Sequence, residues 1–432
     1  HAVGTGAPLP DEVVRAAILV RANTFAKGFS GIRMEVIETL IALLNKNVTP
    51  IIPSQGSLGS SGDLAPLAHT ALVFTTDADD LDSESGMARY DGEILSGKAA
   101  MQRAGIERVV LGAKEGLALS NGATFSAAMG ALAVYDAETL LNTGQVSLAM
   151  SLEAMLGCSA SFDDRLHQAR GLKGQIEVAK AVRTLTAGSS LLNKCGRVQD
   201  AYSLRCAPQV QGICWDTLSF VREVIETEIN AATDNPLLFE PGVALSGGNF
   251  HGEPIGMVMD FLGIALTELG AISERRIFRL IDGALNTGLP PMLVDNEQAA
   301  GLNSGLMMPQ YTAASLVLEN RTLASPDSVQ SLPVSGQQED HNANAMTAAR
   351  HAYEIVANLT HVLAVECYTA SRALDLRLRQ NPDLNLGKGT QKAYDRIREV
   401  VPYQPGDAWW GPEIEQVRDL ILSKALEMLD FS

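Results

Sequence analysis

The chain has 432 residues, of which 46% are hydrophobic and only 5% aromatic, and its formal net charge is −17. This length allows a large buried core, and the excess of negative charge argues against nucleic acid or an anionic membrane as a partner. The five cysteines include no C-x-x-C pair, which is typical of buried thiols in a reducing compartment, so a cytoplasmic location is expected.

Helical periodicity begins near the start of the chain. The segments "DEVVRAAILVRANTFAKGF" and "RMEVIETLIALLNK" repeat apolar residues at steps of three and four, as amphipathic helices do. Further on, the acidic stretch "TTDADDLDSESG" lacks the ligand spacing of a calcium loop and is predicted to be a solvated loop. The following "ARYDGEIL" places Asp-Gly between two short apolar runs, which predicts a β-hairpin.

Three later stretches are unusually long and unbroken, at about 114–156, 251–285 and 343–378. Helices of this length far exceed the usual ~11–12 residues. They need a bundle to bury their apolar faces, and we expect that bundle to form across subunits. The most apolar window, "PIGMVMDFLGIALTELGAI", carries Asp260 and Glu268, which indicates a buried helix and not a membrane span.

A glycine- and serine-rich stretch, "GSLGSSGDL", occupies residues 56–64. Its spacing excludes a phosphate-binding loop, because Asp63 stands where such a loop requires lysine and the glycines do not follow G-x-G-x-x-G. The triplet Ser60-Ser61-Gly62 has instead what backbone cyclisation requires. The amide nitrogen of Gly62 can attack the Ser60 carbonyl, and Ser61 can lose its hydroxyl as water, which gives an electrophilic 4-methylidene-imidazol-5-one. Read in isolation, the triplet is more simply a turn followed by a helix N-cap at Ser61 or Asp63.

The context of the triplet decides between these two readings. "GSLGSSGDLAPLAH" resembles the signature of the aromatic amino acid ammonia-lyases, and most of all that of their histidine-specific members. The resemblance continues in the family's order through "AKEGLALSNGATF", "RVQDAYSLRC", "INAATDNPLLF", "SGGNFHGEP", "ISERRI", "GLNSGLMMPQYTAASLVLENRTLASPDSV" and "QQEDH". It implies a mainly α fold, a long-helix bundle with a fumarase/aspartase-like core and small β-hairpin elements. It also implies a homotetramer in which three subunits assemble each active site.

The resemblance further implies roles for individual residues. Asn121 would contact the ring, Phe250 would pack against it, and Tyr202 would hydrogen-bond near the ring and the substrate amine. Arg205 would bind the substrate carboxylate with its planar guanidinium. The implied catalytic residues are Ser60, Ser61, Gly62, Asn121, Tyr202, Arg205 and Phe250, and the implied substrate-binding residues are His1, Gln199, Arg205 and Glu339. The electrophile formed from Ser60, Ser61 and Gly62 is the implied cofactor, and neither a metal nor an external cofactor is expected.

The chain departs from the family pattern at several positions. The family usually has Ala where Ser60 stands, and we expect cyclisation to survive because that side chain points away from the ring closure. "HNANAM" replaces the usual His-Val-Ser-Met and "LMMPQY" replaces "FMIAQY", both near the substrate by analogy. The family's catalytic tyrosine, in an N-terminal "Y-G-x-x-T-G-F-G" loop, has no match. We therefore expect one catalytic unit over 1–432 without that N-terminal segment. Its electrophile-bearing region should run to about 110, its central helical bundle over about 111–380 and its C-terminal helices over about 381–432.

The implied reaction is elimination of ammonia from an aromatic L-amino acid. Glu339 and His1 favour L-histidine, with urocanate as product, because a carboxylate opposite a phenyl ring would be buried and unpaired. The nearest alternatives are a phenylalanine or tyrosine ammonia-lyase and a 2,3-aminomutase. More remote alternatives are a fumarase/aspartase-like lyase without a self-made electrophile and a catalytically inactive homologue that acts as a binding or structural partner.

Overall fold

A computed structural model describes residues 1–77, 79–240, 242–296 and 301–427. The helices are α1 (Asp11–Ala26), α2 (Met34–Asn45), α3 (Leu64–Phe74), α4 (Gly97–Ala104), α5 (Glu115–Ser120), α6 (Thr124–Ala154), α7 (Asp164–Arg170), α8 (Lys173–Leu185), α9 (Tyr202–Arg205), α10 (Ala207–Glu228), α11 (Glu253–Ile281), α12 (Met307–Leu323), α13 (Ala345–Gln380), α14 (Lys388–Val400) and α15 (Trp410–Leu422). The strands are β1 (Thr5–Pro8), β2 (Thr49–Pro50), β3 (Pro53–Gln55), β4 (Thr75–Thr76), β5 (Met87–Tyr90), β6 (Glu93–Ser96), β7 (Val109–Val110), β8 (Leu237–Phe239) and β9 (Val243–Leu245). The prediction of a mainly helical fold with small β elements is confirmed.

The predicted hairpin is formed by β5 and β6, which pair antiparallel with Tyr90 opposite Glu93. Asp91 and Gly92 join the strands with φ angles of 50° and 78°, the positive values that a two-residue hairpin turn requires. The prediction from "ARYDGEIL" is therefore confirmed. In the acidic stretch before it, residues 82–84 form a short 3₁₀ turn, and Ala78 lies outside the described residues.

Two of the three long helices follow the prediction closely, since α11 and α13 begin two residues after the expected start. The prediction of one continuous helix over about 114–156 is wrong. This stretch is divided into α5 and α6 at Asn121–Ala123. Asn121 is extended, with φ of −85° and ψ of 146°, and Gly122 has φ of +108°, so the chain leaves the helical conformation at these two positions.

The chain divides into two compact units. Unit 1 comprises His1–Val134, Val221–Phe261 and Ser325–Tyr353, and unit 2 comprises Tyr135–Phe220, Leu262–Ala324 and Glu354–Ser432. In unit 2, residues 143–154 of α6 and 362–377 of α13 are buried on every side. A helix with no solvent-facing side lies at the centre of its bundle, so these two segments form the core of unit 2.

A buried carboxylate ties together three helices of unit 2. Glu366 on α13 accepts hydrogen bonds from the Arg276 guanidinium of α11 at 2.5 and 2.8 Å. Ser273 of α11 donates to the same carboxylate at 2.6 Å, and Ser147 and Ser151 of α6 each donate at 2.8 Å. The Arg276 and Glu366 side chains are fully buried. Such a charge pair is tolerated in a core only when its hydrogen bonds are satisfied in this way.

Helix α11 has the length and apolar composition of a membrane-spanning segment, but 72% of its most apolar window is buried inside the protein. Asp260 on this helix accepts the backbone N–H groups of Asp327 and Ser328 at 3.0 and 2.9 Å. The reading of α11 as a buried core helix is therefore confirmed.

Candidate active site

The Ser-Ser-Gly triplet lies in a loop over residues 56–63, between β3 and α3, which we call the triplet loop. Strand β3 pairs antiparallel with β1, opposite Thr5 and Pro8, so the loop leaves from a paired strand. Two other segments of unit 1 hold its backbone. Asn344 donates its N–H to the Leu58 carbonyl at 2.8 Å, and Gly252 donates its N–H to the Gly59 carbonyl at 2.9 Å.

The third anchor of the triplet loop is the break between α5 and α6. Gly62 and Gly122 form an isolated parallel bridge, in which Gly122 donates its N–H to Ser61 O at 3.2 Å and accepts from Asp63 N–H at 2.9 Å. Gly62 has φ of +85°, and a Cβ at this position would lie 2.1 Å from the Gly122 carbonyl carbon. Both the backbone conformation and the close approach therefore require glycine at position 62.

The Ser61 carbonyl oxygen accepts two hydrogen bonds. One comes from the Gly122 N–H at 3.2 Å and the other from Asn121 Nδ2 at 3.2 Å. Both donors lie at the helix break that the sequence did not predict. Two donors on one carbonyl oxygen withdraw electron density from the groups conjugated to it, as an oxyanion hole does.

The two serine hydroxyls of the triplet point to one carboxylate. Ser60 Oγ donates to Glu339 Oε2 and Ser61 Oγ donates to Glu339 Oε1, each at 2.6 Å. The backbone of Glu339 is fixed by the N–H of Val334, which donates to its carbonyl at 2.9 Å. Glu339 was identified from the family resemblance alone, and unit 1 brings its carboxylate directly against Ser60 and Ser61.

Asp63, directly after the triplet, was not among the predicted site residues. Its side chain is fully buried and accepts hydrogen bonds from Ser57 Oγ at 2.8 Å and from the Ser126 N–H at 2.8 Å. Burial raises the pKa of this carboxyl, and the hydrogen bonds from Ser126 and Ser57 oppose that shift. Asp63 thus fastens the triplet loop to the first turn of α6, where a carboxylate is favoured by the helix dipole.

Phe250 and His1 lie on two segments of unit 1 that are adjacent to the triplet loop or to its flanking strand β3. Phe250 is half-buried and lies two residues before Gly252, whose N–H is bonded to the triplet loop. His1 is exposed and precedes β1, the partner strand of β3. The structure thus brings the segments of both residues to the triplet loop by backbone pairing.

The unusual "HNANAM" stretch has a structural role in unit 1. Asn342 donates its N–H to Ser331 Oγ at 2.7 Å, and Asn344 donates its side-chain amide to the carbonyls of Asp327 and Gln330 at 3.0 and 3.1 Å. His341 stacks on His251 with ring centroids 6.0 Å apart. The two asparagines therefore fasten the 327–331 loop to the start of α13.

The remaining predicted residues, Gln199, Tyr202 and Arg205, form a second group in unit 2. The Arg205 guanidinium donates to Gln199 Oε1 and lies 5.1 Å from the centroid of the Tyr202 ring. Gln199 and Arg205 line a cavity of about 370 Å³. Asp200, between them in sequence, is buried and accepts from Arg197 at 2.8 Å. The group therefore presents a cation and polar side chains beside open space.

The fold agrees with comparisons to known proteins. The family model described as aromatic amino acid lyase matches residues 1–399. Histidine ammonia-lyase of Caldanaerobacter subterraneus subsp. tengcongensis is 50% identical over 99% of this chain and 82% of its own length. The crystal structure of histidine ammonia-lyase from Trypanosoma cruzi is 38% identical with a TM-score of 0.89, and 99% of this chain covers 79% of it. A Pantoea agglomerans phenylalanine aminomutase is 34% identical with a TM-score of 0.90, over 99% of this chain and 84% of its own.

These similarities define the class of the protein, a carbon–nitrogen lyase with the ammonia-lyase fold. The chain belongs to the aromatic amino acid lyase family. This family is known for a 4-methylidene-imidazol-5-one electrophile. Two features of the triplet loop fit that group. Position 62 has no room for a Cβ and therefore requires glycine, and the Ser61 carbonyl accepts from a pair of donors.

Proposed function

We propose that this chain eliminates ammonia from L-histidine to give urocanate, and that Ser60, Ser61 and Gly62 cyclise to its electrophile. The observation that carries the proposal is the double hydrogen bond on the Ser61 carbonyl, from Asn121 and Gly122. It is supported by 50% identity to a histidine ammonia-lyase over nearly the whole chain. A cytoplasmic location is supported by five cysteines that are all free thiols.

Formation of the electrophile releases two molecules of water. The Gly62 nitrogen bonds to the Ser60 carbonyl carbon, and the oxygen of that carbonyl leaves as the first water. Ser61 then loses its Cα hydrogen and its hydroxyl as the second water, which leaves a methylidene group. The Ser61 carbonyl remains as the ring oxygen, so the donors on it from Asn121 and Gly122 draw electron density away from the methylidene carbon.

The mature group supplies an electrophile that makes the substrate amine a better leaving group. The chain's own residues bind and orient the amino acid. Arg205 pairs with the substrate carboxylate through two parallel N–H groups, and its fixed contact with Gln199 supports a single orientation of the guanidinium. Holding the carboxylate keeps the amine and the β-hydrogen aligned for elimination. Tyr202, beside Arg205, supplies a hydroxyl for the amine.

Glu339 is the group we assign to the substrate imidazole. Before cyclisation its two oxygens accept from Ser60 and Ser61. Loss of the Ser61 hydroxyl removes the donor from Oε1, while Ser60 retains its bond to Oε2. An imidazole N–H replaces the lost donor with a charge-assisted hydrogen bond. A phenyl ring carries no such donor and would leave the carboxylate desolvated, which favours histidine over phenylalanine and tyrosine.

We infer that the chain assembles into a homotetramer with shared active sites, which is the assembly that the family resemblance implies. Its support is an exposed apolar stripe on α12, formed by Met308, Tyr311 and Leu318, which are 52%, 56% and 60% exposed. These positions recur at helical spacing on one face. Exposed apolar stripes of this kind mark protein–protein contacts.

The proposal is tested by the mass and the activity of the protein expressed from its complete gene. We expect the intact mass to lie about 36 Da, or two waters, below that of the encoded sequence. Ser61→Ala should restore the encoded mass less one oxygen and abolish urocanate formation. Ser54→Ala is a matched control in the strand directly before the loop, because Ser54 lies outside the ring and its replacement should leave the two-water deficit intact.

The readouts separate the alternatives. A mass without the two-water deficit would overturn the proposal that the triplet cyclises. A deficit together with preferred turnover of phenylalanine or tyrosine would support cyclisation but overturn histidine as the substrate. A β-amino acid product would identify an aminomutase. A cyclised protein without turnover of any aromatic amino acid would support an inactive homologue instead.

A further inference from the structure

Two thiols in unit 2 lie within contact distance of each other. The sulfurs of Cys158 and Cys195 are 3.6 Å apart. Their segments are joined by main-chain hydrogen bonds, since Cys195 N–H donates to Leu156 O at 3.1 Å and Asn193 N–H donates to Gly157 O at 2.7 Å. The proximity of the thiols is therefore fixed by backbone pairing.

Solvent reaches this pair. Both cysteines are half-buried, and Cys158 lines the cavity of about 370 Å³ that Gln199 and Arg205 also line. The Asp200 carboxylate holds the Cys158 backbone by accepting its N–H at 2.5 Å. A small oxidant can therefore enter from the side of the cavity that carries the proposed carboxylate-binding arginine.

We propose that Cys158 and Cys195 form an oxidisable dithiol, which a peroxide converts to a disulfide that joins residue 158 to the segment carrying Gln199 and Arg205. In the first step, a cysteine thiolate attacks hydrogen peroxide, the O–O bond breaks, hydroxide leaves and a sulfenic acid forms. In the second step, the other thiol attacks the sulfenic sulfur, the S–S bond forms and water leaves. The peroxide takes up the two electrons that the thiols lose.

The order of the two cysteines follows from their surroundings. Burial raises the pKa of the Cys158 thiol to about 11, and the hydrogen bond to Cys195 and the charge of Asp200 add to that shift. The raised pKa keeps Cys158 as the protonated thiol, and its Sγ also lies 3.6 Å from the Arg197 carbonyl oxygen, a proton acceptor. Because the thiolate is the nucleophile, Cys158 is disfavoured as the thiol oxidised first, and we assign to it the second step, the attack that closes the disulfide.

A metal ion is the competing occupant of the same cluster, because ligand atoms of Cys158, Cys195 and Asp200 all lie within 4.8 Å of one another. The contacts of Asp200 favour the dithiol. One of its oxygens accepts the Cys158 N–H and the other accepts from the Arg197 guanidinium. A metal would have to replace these bonds and lie close to a fixed positive charge.

The disulfide should impair substrate binding, because closing it draws two sulfurs from 3.6 Å to about 2 Å. The disulfide would constrain Cys195, which lies four residues before Gln199 and ten residues before Arg205 in the sequence. Displacement of a substrate-orienting group by about 1 Å can lower a rate by about 10²-fold. We expect kcat/KM to fall about tenfold on oxidation and to recover with dithiothreitol.

The experiment treats the reduced full chain with hydrogen peroxide and maps its cysteine peptides by mass spectrometry. We expect a loss of about 2 Da and a peptide in which Cys158 is linked to Cys195. Cys158→Ser and Cys195→Ser should each lack this link. Cys206→Ser is the matched control, because Cys206 lines the same cavity and its removal leaves the pair intact.

The peptide map tests the dithiol independently of any lyase activity. Oxidation of Cys195 to sulfinic acid without a link to Cys158 would overturn the proposal. Stoichiometric zinc in the purified protein, lost in Cys158→Ser and protecting both thiols from peroxide, would overturn it in favour of a metal site. A linked peptide in an enzyme whose kcat/KM does not change would overturn the effect on Arg205.

Discussion

Glu339 makes the most specific contacts of the candidate site, since one carboxylate accepts from both serines of the triplet. Removing its charge tests which substrate it recognises. We expect Glu339→Gln to lower kcat/KM for histidine by one to two decades, because a hydrogen bond to a charged group contributes about 1.5–3 kcal/mol. Turnover of phenylalanine, measured in the same assay, should fall much less.

Ser60→Ala is the matched control for that substitution. It removes the donor to Oε2 but leaves the carboxylate and its charge in place, so its effect on histidine turnover should be smaller than that of Glu339→Gln. Equal losses for histidine and phenylalanine in Glu339→Gln would indicate a role in forming the ring. The assignment to the imidazole would then be wrong.

Glu228, at the end of α10, is expected to make the stability of the protein depend on pH. Burial raises the pKa of its carboxyl to about 7, and the charge of Asp63 contributes to the shift. Between the ordinary value of 4.5 and about 7, the folded state holds more protons than the unfolded state. The free energy of unfolding therefore falls as the pH rises through this window and does not fall further above it.

We expect Glu228→Gln to remove this dependence. The variant should have a higher Tm than the parent at pH 8, where the parent buries a charge, and the difference should shrink towards pH 5. Glu226→Gln is the control, because Glu226 is exposed on the same helix. A gain in Tm that is the same at both pH values would show that titration of Glu228 does not cause it.

At the scale of elements, the buried Arg276–Glu366 pair couples α11 to α13, and three serines of α6 and α11 complete its hydrogen bonds. Arg276→Met leaves the Glu366 carboxylate buried without its cation. We expect this to destabilise the protein by about 3–5 kcal/mol, seen as a lower midpoint of denaturant unfolding.

The double variant Arg276→Met/Glu366→Leu separates the cost of an unpaired charge from the value of the pair. It removes both charges and fills the space with apolar groups, a change that is often close to neutral. We therefore expect the double variant to be more stable than Arg276→Met alone. A double variant whose loss equals the sum of the two single losses would argue against a buried unpaired charge as the cause.

The sequence predicted those elements whose signals are local. The Asp91-Gly92 turn and the long apolar periodicity of α11 and α13 were sufficient for the hairpin and for helix starts within two residues. The break at Asn121–Gly122 was missed although Asn-Gly is a local turn signal, because the dipeptide lies within a long apolar stretch whose pattern predicts one helix. The structure pairs Gly122 with Gly62, a contact between distant segments that the sequence does not show.

The candidate site was predictable only in part, for the same reason. The triplet has the residue types that ring closure requires, but only the family resemblance favoured cyclisation over a turn followed by a helix N-cap. The contact of Glu339 with Ser60 spans 279 residues and came only from the family resemblance. Asp63 and Cys158 were missed because burial and a partner distant in sequence define their roles, and neither is marked by local spacing.

At the scale of the whole molecule, the apolar stripe of α12 is the feature that tests assembly. We expect the full-length enzyme to have four chain masses by light scattering. Replacement of Tyr311 and Leu318 by Asp should dissociate it, because two charges would have to be buried in an apolar contact. Activity should be lost with the tetramer, since shared sites require neighbouring subunits.

Glu319→Gln is the control for the α12 substitution, because Glu319 is an exposed polar residue adjacent to the stripe. It should leave both the mass and the activity unchanged. An active monomer, from either the parent or the Tyr311/Leu318 variant, would rule out sites shared between subunits. A tetramer that persists in the variant would place the contact on another surface.

The Gly62–Gly122 bridge has a consequence for how the protein is made. Ser61 and Asn121 are 60 residues apart in the chain, so the donors reach the Ser61 carbonyl only after both segments have folded against each other. If the triplet cyclises as proposed, a nascent or misfolded chain would carry an ordinary Ser-Ser-Gly peptide, which is harmless to nearby amines and thiols. The reactive group would form only in the native structure, so the fraction of cyclised molecules in a cell would record how many chains have completed folding.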